Sequence, residues 1–203
     1  MFKRDAVHIR TEALKSPEVM ARVLVFAIVT ANAPLRHAVN AALWIRAQGT
    51  SFLTLSYGDL TLADKSYMGA AMTGAKLAWT QSVIASRDSL YKHFLTMDAV
   101  SFWNLLLDTV PGLGMVKGAF AVQMLYNELG CIDVHNLREL GLDRKAVAGK
   151  TRNKREQYLA IQSVKTSEAW WNDWCDFVAD KYKTQFDSGD YVSRLHAIAT
   201  VGV

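Results

Sequence analysis

The sequence predicts an all-α fold, and three observations carry that prediction. Prolines are confined to Pro17, Pro34 and Pro111, each where a helix would begin or be interrupted. Much of the remaining chain spaces its apolar residues at the helical period. Only residues 51–61 depart from it, with Thr, Ser, Tyr and Gly among Leu and Phe, and they read as a loop rather than a strand pair.

The elements follow in order. Ser16-Pro17-Glu18-Val19 is an N-cap with proline at the first helical position, opening a helix expected to reach residue 30. A break at residues 31–34 precedes a helix over 35–47, stopped by Gly49. Residues 64–73 and 74–86 read as two helices sharing a seam of Gly69, Ala70, Ala71, Gly74 and Ala75. Helices over 88–94 and 98–109 come next, the second capped by Asp98. A helix over 115–129 and a short one over 134–140 follow, and Asp133 stands where it can cap the second. Residues 145–155 form a basic segment with Lys145, Lys150, Arg152, Lys154 and Arg155, read first as a solvated loop and second as a phosphate-contacting strip. An amphipathic helix over 167–183 carries Trp170, Trp171, Trp174 and Phe177, whose spacing favours core packing over base stacking.

Composition sets the outer bounds. With 203 residues, 51% of them hydrophobic, the chain can bury a core as one domain or as two lobes around a cleft. A net charge of +4 is compatible with a polyanion partner without requiring one. Cys131 and Cys175 are too few and too far apart for a disulfide framework, a four-cysteine zinc site or an iron–sulfur cluster, and two inert buried thiols are expected. The apolar run 23–29 is too short to span a bilayer, and residues 1–10 lack the apolar stretch of a signal peptide, so no membrane association and a cytoplasmic location are expected.

The stretch with most chemical content is Val110-Pro111-Gly112-Leu113-Gly114, followed by an apolar helix and then Ile132-Asp133-Val134-His135. Two short helices joined by Pro-Gly-x-Gly form a helix-hairpin-helix. Gly112 and Gly114 can leave room for a phosphate beside the backbone, and the next helix aims its free N–H groups and positive dipole end at it. Such contacts position a nucleic acid without reading its sequence.

These residues resemble the helix-hairpin-helix DNA glycosylase superfamily, which includes endonuclease III-like and 8-oxoguanine glycosylases. The hairpin, Ala119 and Ala121 in the helix after it, and Ile132-Asp133-Val134-His135 carry the likeness. Upstream, Val25-Phe26-Ala27-Ile28-Val29-Thr30-Ala31-Asn32 is similar to a family helix that ends in glutamine, with Asn32 in its place, and Gly74-Ala75-Lys76 is similar to the Gly-x-x-x-Lys-Ala region. The resemblance implies a two-lobed fold. The hairpin lobe would span about 64–142, and helices 17–47 would pack with 145–203 as the second lobe. It implies DNA as partner and a base flipped into the interlobe cleft. Asp133 would be the catalytic carboxylate that stabilises the cationic sugar or orients a nucleophile. Gly112, Gly114, Val116 and Lys117 would contact phosphate, and His135 would bond Asp133 or a phosphate. Asn32, Gln123 and Asn136 are the polar candidates for the cleft. No cofactor is expected, although the hairpin could hold a structural monovalent cation, and the iron–sulfur loop of many relatives is missing.

The likeness has one fault line. Family members that also cleave the backbone use a lysine two residues after the second hairpin glycine, where this chain has Val116. Lys117 stands one residue later, a rotation of roughly 100° on a helix, so either a local adjustment of the hairpin brings it inward as a catalytic lysine or it faces phosphate and the lyase chemistry is absent. Two further readings therefore stand beside excision of a damaged or modified base. Gly114 to Phe120 and Cys131 to Asn136 also resemble the enzymes of bacteriophage thymine hypermodification, which would exchange a pyrophosphate on 5-hydroxymethyluracil for an amine or amino acid. On that reading Lys117 holds the leaving pyrophosphate, Asp133 or His135 takes the amine's proton, and the setting is a phage-infected bacterial cell. The third reading is a non-catalytic DNA-binding or virion-associated module on the same fold.

Overall fold

The computed structural model describes residues 9–143, 145 and 148–182. Residues 1–8 and 183–203, on which part of the N-terminal reading and of the second-lobe boundary falls, lie outside the described residues, as do the side chains of Trp174, Cys175 and Phe177. The described chain is all-helical, with no strand among these residues. No helix among them is long and apolar enough to cross a membrane.

Helix α1 (Pro17–Val29) begins at Ser16, whose Oγ accepts from Val19 N at 3.4 Å. Apart from Glu18 and Arg22 in its first half it is apolar, and ten of its thirteen residues are buried, the pattern of a helix enclosed by others. Indeed α1 packs against α2 (Leu35–Gln48), α4 (Gly74–Ala85), α5 (Arg87–Thr96) and α7 (Met115–Tyr126). The buried residues form one continuous cluster from Ile9 to Trp171.

Between α2 and α4 the structure refines the sequence reading. Residues 51–61 are a loop entered through a 3-10 turn, Gly49–Thr54, which buries Phe52 against Trp44. Gln81 Nε2 donates to the carbonyls of Phe52 and Leu55, holding this loop on α4. Helix α3 (Leu62–Met68) starts two residues before the expected Asp64, because Asp64 is the third residue of a capping box with Thr61 rather than the cap. It also stops early, at Gly69 (φ 49°), and a 3-10 turn Gly69–Ala71 replaces its expected last turn.

Helix α6 (Ala99–Thr109) is capped by Asp98, which accepts from Ser101 N at 2.9 Å. It pairs with α7 through the Pro-Gly-Leu-Gly turn. The pair closes tightly at Gly118, where an added Cβ would lie 3.2 Å from the indole of Trp103, and Trp103 Nε1 donates to Met115 O. Helix α7 ends at Tyr126 rather than residue 129, since Asn127 is left-handed (φ 56°), a conformation Asn tolerates.

Helix α8 (Val134–Glu139) follows Asp133. The basic segment leads into a further helix, α9 (Arg152–Gln162), capped by Thr151. The solvated-loop reading holds in part, since residues 148–151 are exposed and outside any helix, but Lys150 and Arg155 are engaged. Lys150 Nζ donates to Leu107 O at 2.7 Å, and Arg155 bonds Asn104 and both oxygens of Asp108, so this segment clasps the outer face of α6. Helix α10 (Ser167–Tyr182) buries Trp170 and Trp171, which are core residues and not a stacking platform.

Residues 129–133, between α7 and α8, are largely buried without regular structure, so their backbone must be satisfied by side chains. Ser167 Oγ donates to Leu129 O, Gln162 bonds both the N–H and the carbonyl of Gly130, and Gln123 Oε1 accepts from Cys131 N. Tyr158 Oη donates to Gly130 O at 2.7 Å and accepts from Ile132 N at 3.1 Å. Trp170 closes over Gly130, where an added Cβ would fall 2.4 Å from the indole. Replacing Tyr158 by Phe keeps its stack on Trp103 but removes its bonds to the Gly130 carbonyl and the Ile132 N–H, leaving that N–H only its contact with Gly130 O at 3.0 Å. Chemical denaturation should show a loss of about 1–2 kcal/mol at unchanged helix content.

Candidate functional site

Asp133 caps α8 in the extended conformation (φ −86°), and its Oδ1 alone accepts both backbone N–H groups, from His135 at 2.8 Å and Asn136 at 3.2 Å. Oδ2 takes no hydrogen bond from the described residues. Asp133 thus caps α8 through one oxygen of a half-buried carboxylate. The two N–H bonds fix its orientation and the clamp on residues 129–132 fixes its position.

The hairpin glycines differ in what they do. Gly112 is left-handed (φ 84°), and a Cβ there would sit 2.3 Å from Cε3 of Trp79 on α4. It is glycine because the turn requires positive φ and because an indole lies against it. Gly114 is ordinary extended backbone (φ −92°, ψ 177°) as N-cap of α7, and a Cβ there would meet nothing within 4 Å. It supplies no side-chain cap. The first N–H groups of α7 therefore have no side-chain cap, at a helix end with a positive dipole.

Lys117, on the first turn of α7, is half-buried, with Nζ 5.3 Å from the centre of the Phe120 ring. Its charge reaches two neighbours. Burial pushes the Cys131 thiol up to about 12, an effect that Lys117 opposes and Asp133 reinforces. Lys117 and Asp133 thus both act electrostatically on Cys131. Val116 is half-buried on the same turn. Cys131 is an inert interior thiol, as its high pKa requires.

The second neighbour is Lys76, a cation that is only 7% exposed. Its ammonium donates to the carbonyls of Val29 at 3.2 Å, Ala31 at 2.5 Å and Ala70 at 2.9 Å. Burial and, secondarily, Lys117 push it down to about 8. All three N–H groups are used, so Lys76 ties the end of α1 to the start of α4 and does not reach a substrate. In the sequence Lys76 stands out only by its likeness to a family position. Two of the carbonyls it meets lie 45 and 47 residues away and leave no local signal.

The polar cleft candidates separate. Gln123 is fully buried, its amide bridging Cys131 N and Ser167 O. Asn136 is 5% exposed and donates to Cys131 O. Neither lines a cleft: each stands among apolar residues because it satisfies buried backbone. Asn32 is exposed and left-handed (φ 52°) in the turn after α1, beside the Ala31 carbonyl that Lys76 holds. His135 is half-buried on the first turn of α8. Among the described residues no three His, Cys, Asp or Glu side chains converge as a metal site.

Comparison with protein-family models, with curated proteins and with solved structures finds no match to this chain.

Two outcomes check this geometry. Gly112→Ala should cost about 2–4 kcal/mol, from left-handed backbone and the collision with Trp79. Gly114→Ser should leave the denaturation midpoint equal or slightly higher, since Ser caps at least as well as Gly. For Lys76 the sign follows from proton binding. An unfolded lysine stays protonated to about pH 10.4, whereas the folded one releases its proton near 8. Between those values the unfolded chain binds more protons, so this residue's contribution to stability rises with pH and is flat below 8. The difference in melting temperature between wild type and Lys76→Met should widen in favour of wild type from pH 8 to 10.

Proposed function

We propose that this protein is a DNA-binding, glycosylase-like enzyme that acts on a modified or damaged base flipped out of the duplex. The observation that carries the reading is the juxtaposition at the hairpin. An uncapped helix start beside the open Gly114 position lies on the same helix end as Lys117, whose charge shares Cys131 with Asp133. A phosphate accepted by the α7 N–H groups would anchor the backbone near the carboxylate. The two-lobed glycosylase-like arrangement is part of this proposal.

The chemistry follows from the residues. The base leaves with the electron pair of its bond to C1′, and positive charge develops on the sugar. The fixed Oδ2 of Asp133 stabilises that charge, and water adds to C1′ and releases a proton. Val116 offers no amine, so hydrolysis rather than Schiff-base chemistry is the expected course. The half-buried place of Lys117 on the first turn of α7 supports a second reading, in which its ammonium holds the pyrophosphate leaving an activated 5-hydroxymethyluracil while an amine takes its place.

Asp133→Asn is the decisive variant, because Asn caps a helix as well as Asp does and only the charge is lost. Duplex DNA carrying candidate bases, or 5-hydroxymethyluracil pyrophosphate with an amine, is incubated with each protein and the products weighed by mass spectrometry. Free base, reduced about 100-fold or more in Asp133→Asn at unchanged stability, supports excision. Loss of pyrophosphate with gain of the amine supports transfer. DNA binding without either product, indifferent to Asp133→Asn, leaves a non-catalytic module. Gly114→Ser, whose hydroxyl competes for the α7 N–H groups, should weaken DNA binding about tenfold. Unaltered binding by that stable variant would remove the hairpin from the interface.

A further inference from the structure

His37 stands on the first turn of α2, half-buried, with Nδ1 shut off from solvent and without a hydrogen-bond partner among the described residues. Its ring lies on the Gly69–Ala71 turn. A Cβ added at Gly69 would fall 2.5 Å from Nδ1 and 2.6 Å from Cε1, so the imidazole occupies the place where any other side chain would begin. Gly69 is also left-handed (φ 49°) and ends α3. The glycine therefore serves the turn and the ring at once. One turn along α2, Asn40 Nδ2 donates to Tyr67 O at 2.8 Å and ties the two segments together.

A neutral ring suits this seat and a charged one does not. Neutral imidazole can keep its hydrogen on Nε2 and present Nδ1 bare, whereas the imidazolium carries a hydrogen on both nitrogens. The added N–H would press on Gly69 with no acceptor in reach among the described residues, and a buried donor left unpaired is costly. Charge is disfavoured twice more. His37 is the third residue of α2, at the positive end of the helix dipole, and Arg36 precedes it. Burial first and Arg36 second lower its pKa from the ordinary histidine value. No neighbouring carboxylate opposes them. Asp64 on α3 is turned to Thr61 and Trp44, Lys65 lies over the Tyr57 ring, and Tyr67 is an exposed phenol. Lys76 on α4 is held by three carbonyls, and Glu18 and Arg22 of α1 line a cavity with Arg46 at the far end of α2.

We propose that His37 is an acid-operated latch on the Gly69–Ala71 turn: neutral, it packs on Gly69 and holds the turn; protonated, it is expelled and the turn is released. The effect reaches further, because Ala70 O is one of the three carbonyls that fix Lys76, and Lys76 in turn holds the end of α1. The latch involves neither the hairpin nor Asp133 and is independent of the DNA reading.

The sign follows from proton binding. An unfolded histidine takes up its proton at about pH 6.5, and the folded one does so only at lower pH. In that window the unfolded chain binds more protons, so the contribution of His37 to stability is intact above about pH 6.5 and falls below it. Lys76 titrates near 8 and does not enter. Two measurements on the full chain test the latch. In wild type followed by NMR from pH 7.5 to 5, the His37 ring should protonate below the ordinary value, and the amide signals of Gly69, Ala70 and Ala71 should move with the same midpoint. Over the same range the melting temperature of wild type should fall relative to that of His37→Phe, which keeps an aromatic ring on Gly69 and takes no proton. A His37 ring that titrates at or above the ordinary value overturns the inference. So do amides of residues 69–71 that stay still while the ring titrates, or a difference in melting temperature that is constant with pH. Should His37→Phe not fold, the wild-type titration decides alone.

Discussion

Residues 129–133 cross the protein interior with neither helix nor sheet to absorb their polar backbone, and the rest of the candidate site hangs on how that demand is met. Cys131 and Ile132 are essentially without solvent exposure, so an unpaired N–H or carbonyl there would cost on the order of 1–3 kcal/mol. The partners arrive from three helices: Gln123 from α7, Tyr158 and Gln162 from α9, Ser167 from α10. Aromatic packing holds the clamp in turn, as in the stack of Trp103 on Tyr158 at 5.3 Å, so the segment has one position. Asp133 inherits it. A carboxylate meant to stabilise charge gains from such fixity, since nothing has to reorganise as the charge develops.

The same economy of buried polarity explains Lys76. A helix enclosed by others, as α1 is, ends with carbonyls that water reaches poorly, and those of Val29 and Ala31 are met by a lysine rather than by solvent. The arrangement places a second positive charge within reach of Lys117.

The hairpin shows why a motif and its function must be separated residue by residue. Gly112 is fully accounted for by its left-handed backbone and by Trp79. Gly114 is not, because its conformation suits any residue and nothing occupies the space beside it. The glycine without a structural explanation is the one on which a ligand-based reading of the turn rests.

What the sequence determined by itself is the set of features fixed within three or four residues. The caps at Ser16, Asp98 and Asp133, proline at the start of α1 and the glycine turn before α7 all stand where the pattern places them, since a side-chain cap bonds an N–H two or three residues on. The tertiary structure decided everything whose partner is distant in the chain. Helix α9 is hidden in the sequence because it is polar along its length and buries only Tyr158, so it carries no apolar stripe to read. Gln123 and Asn136 resemble cleft residues because each interrupts an apolar run, yet they face inward to backbone, and the Ser167 carbonyl that Gln123 meets is 44 positions away. Arg155 reads as a loop cation but holds Asp108. Local hydrogen bonds are written in the order of residues; the satisfaction of buried backbone depends on which helices meet, and only packing sets that.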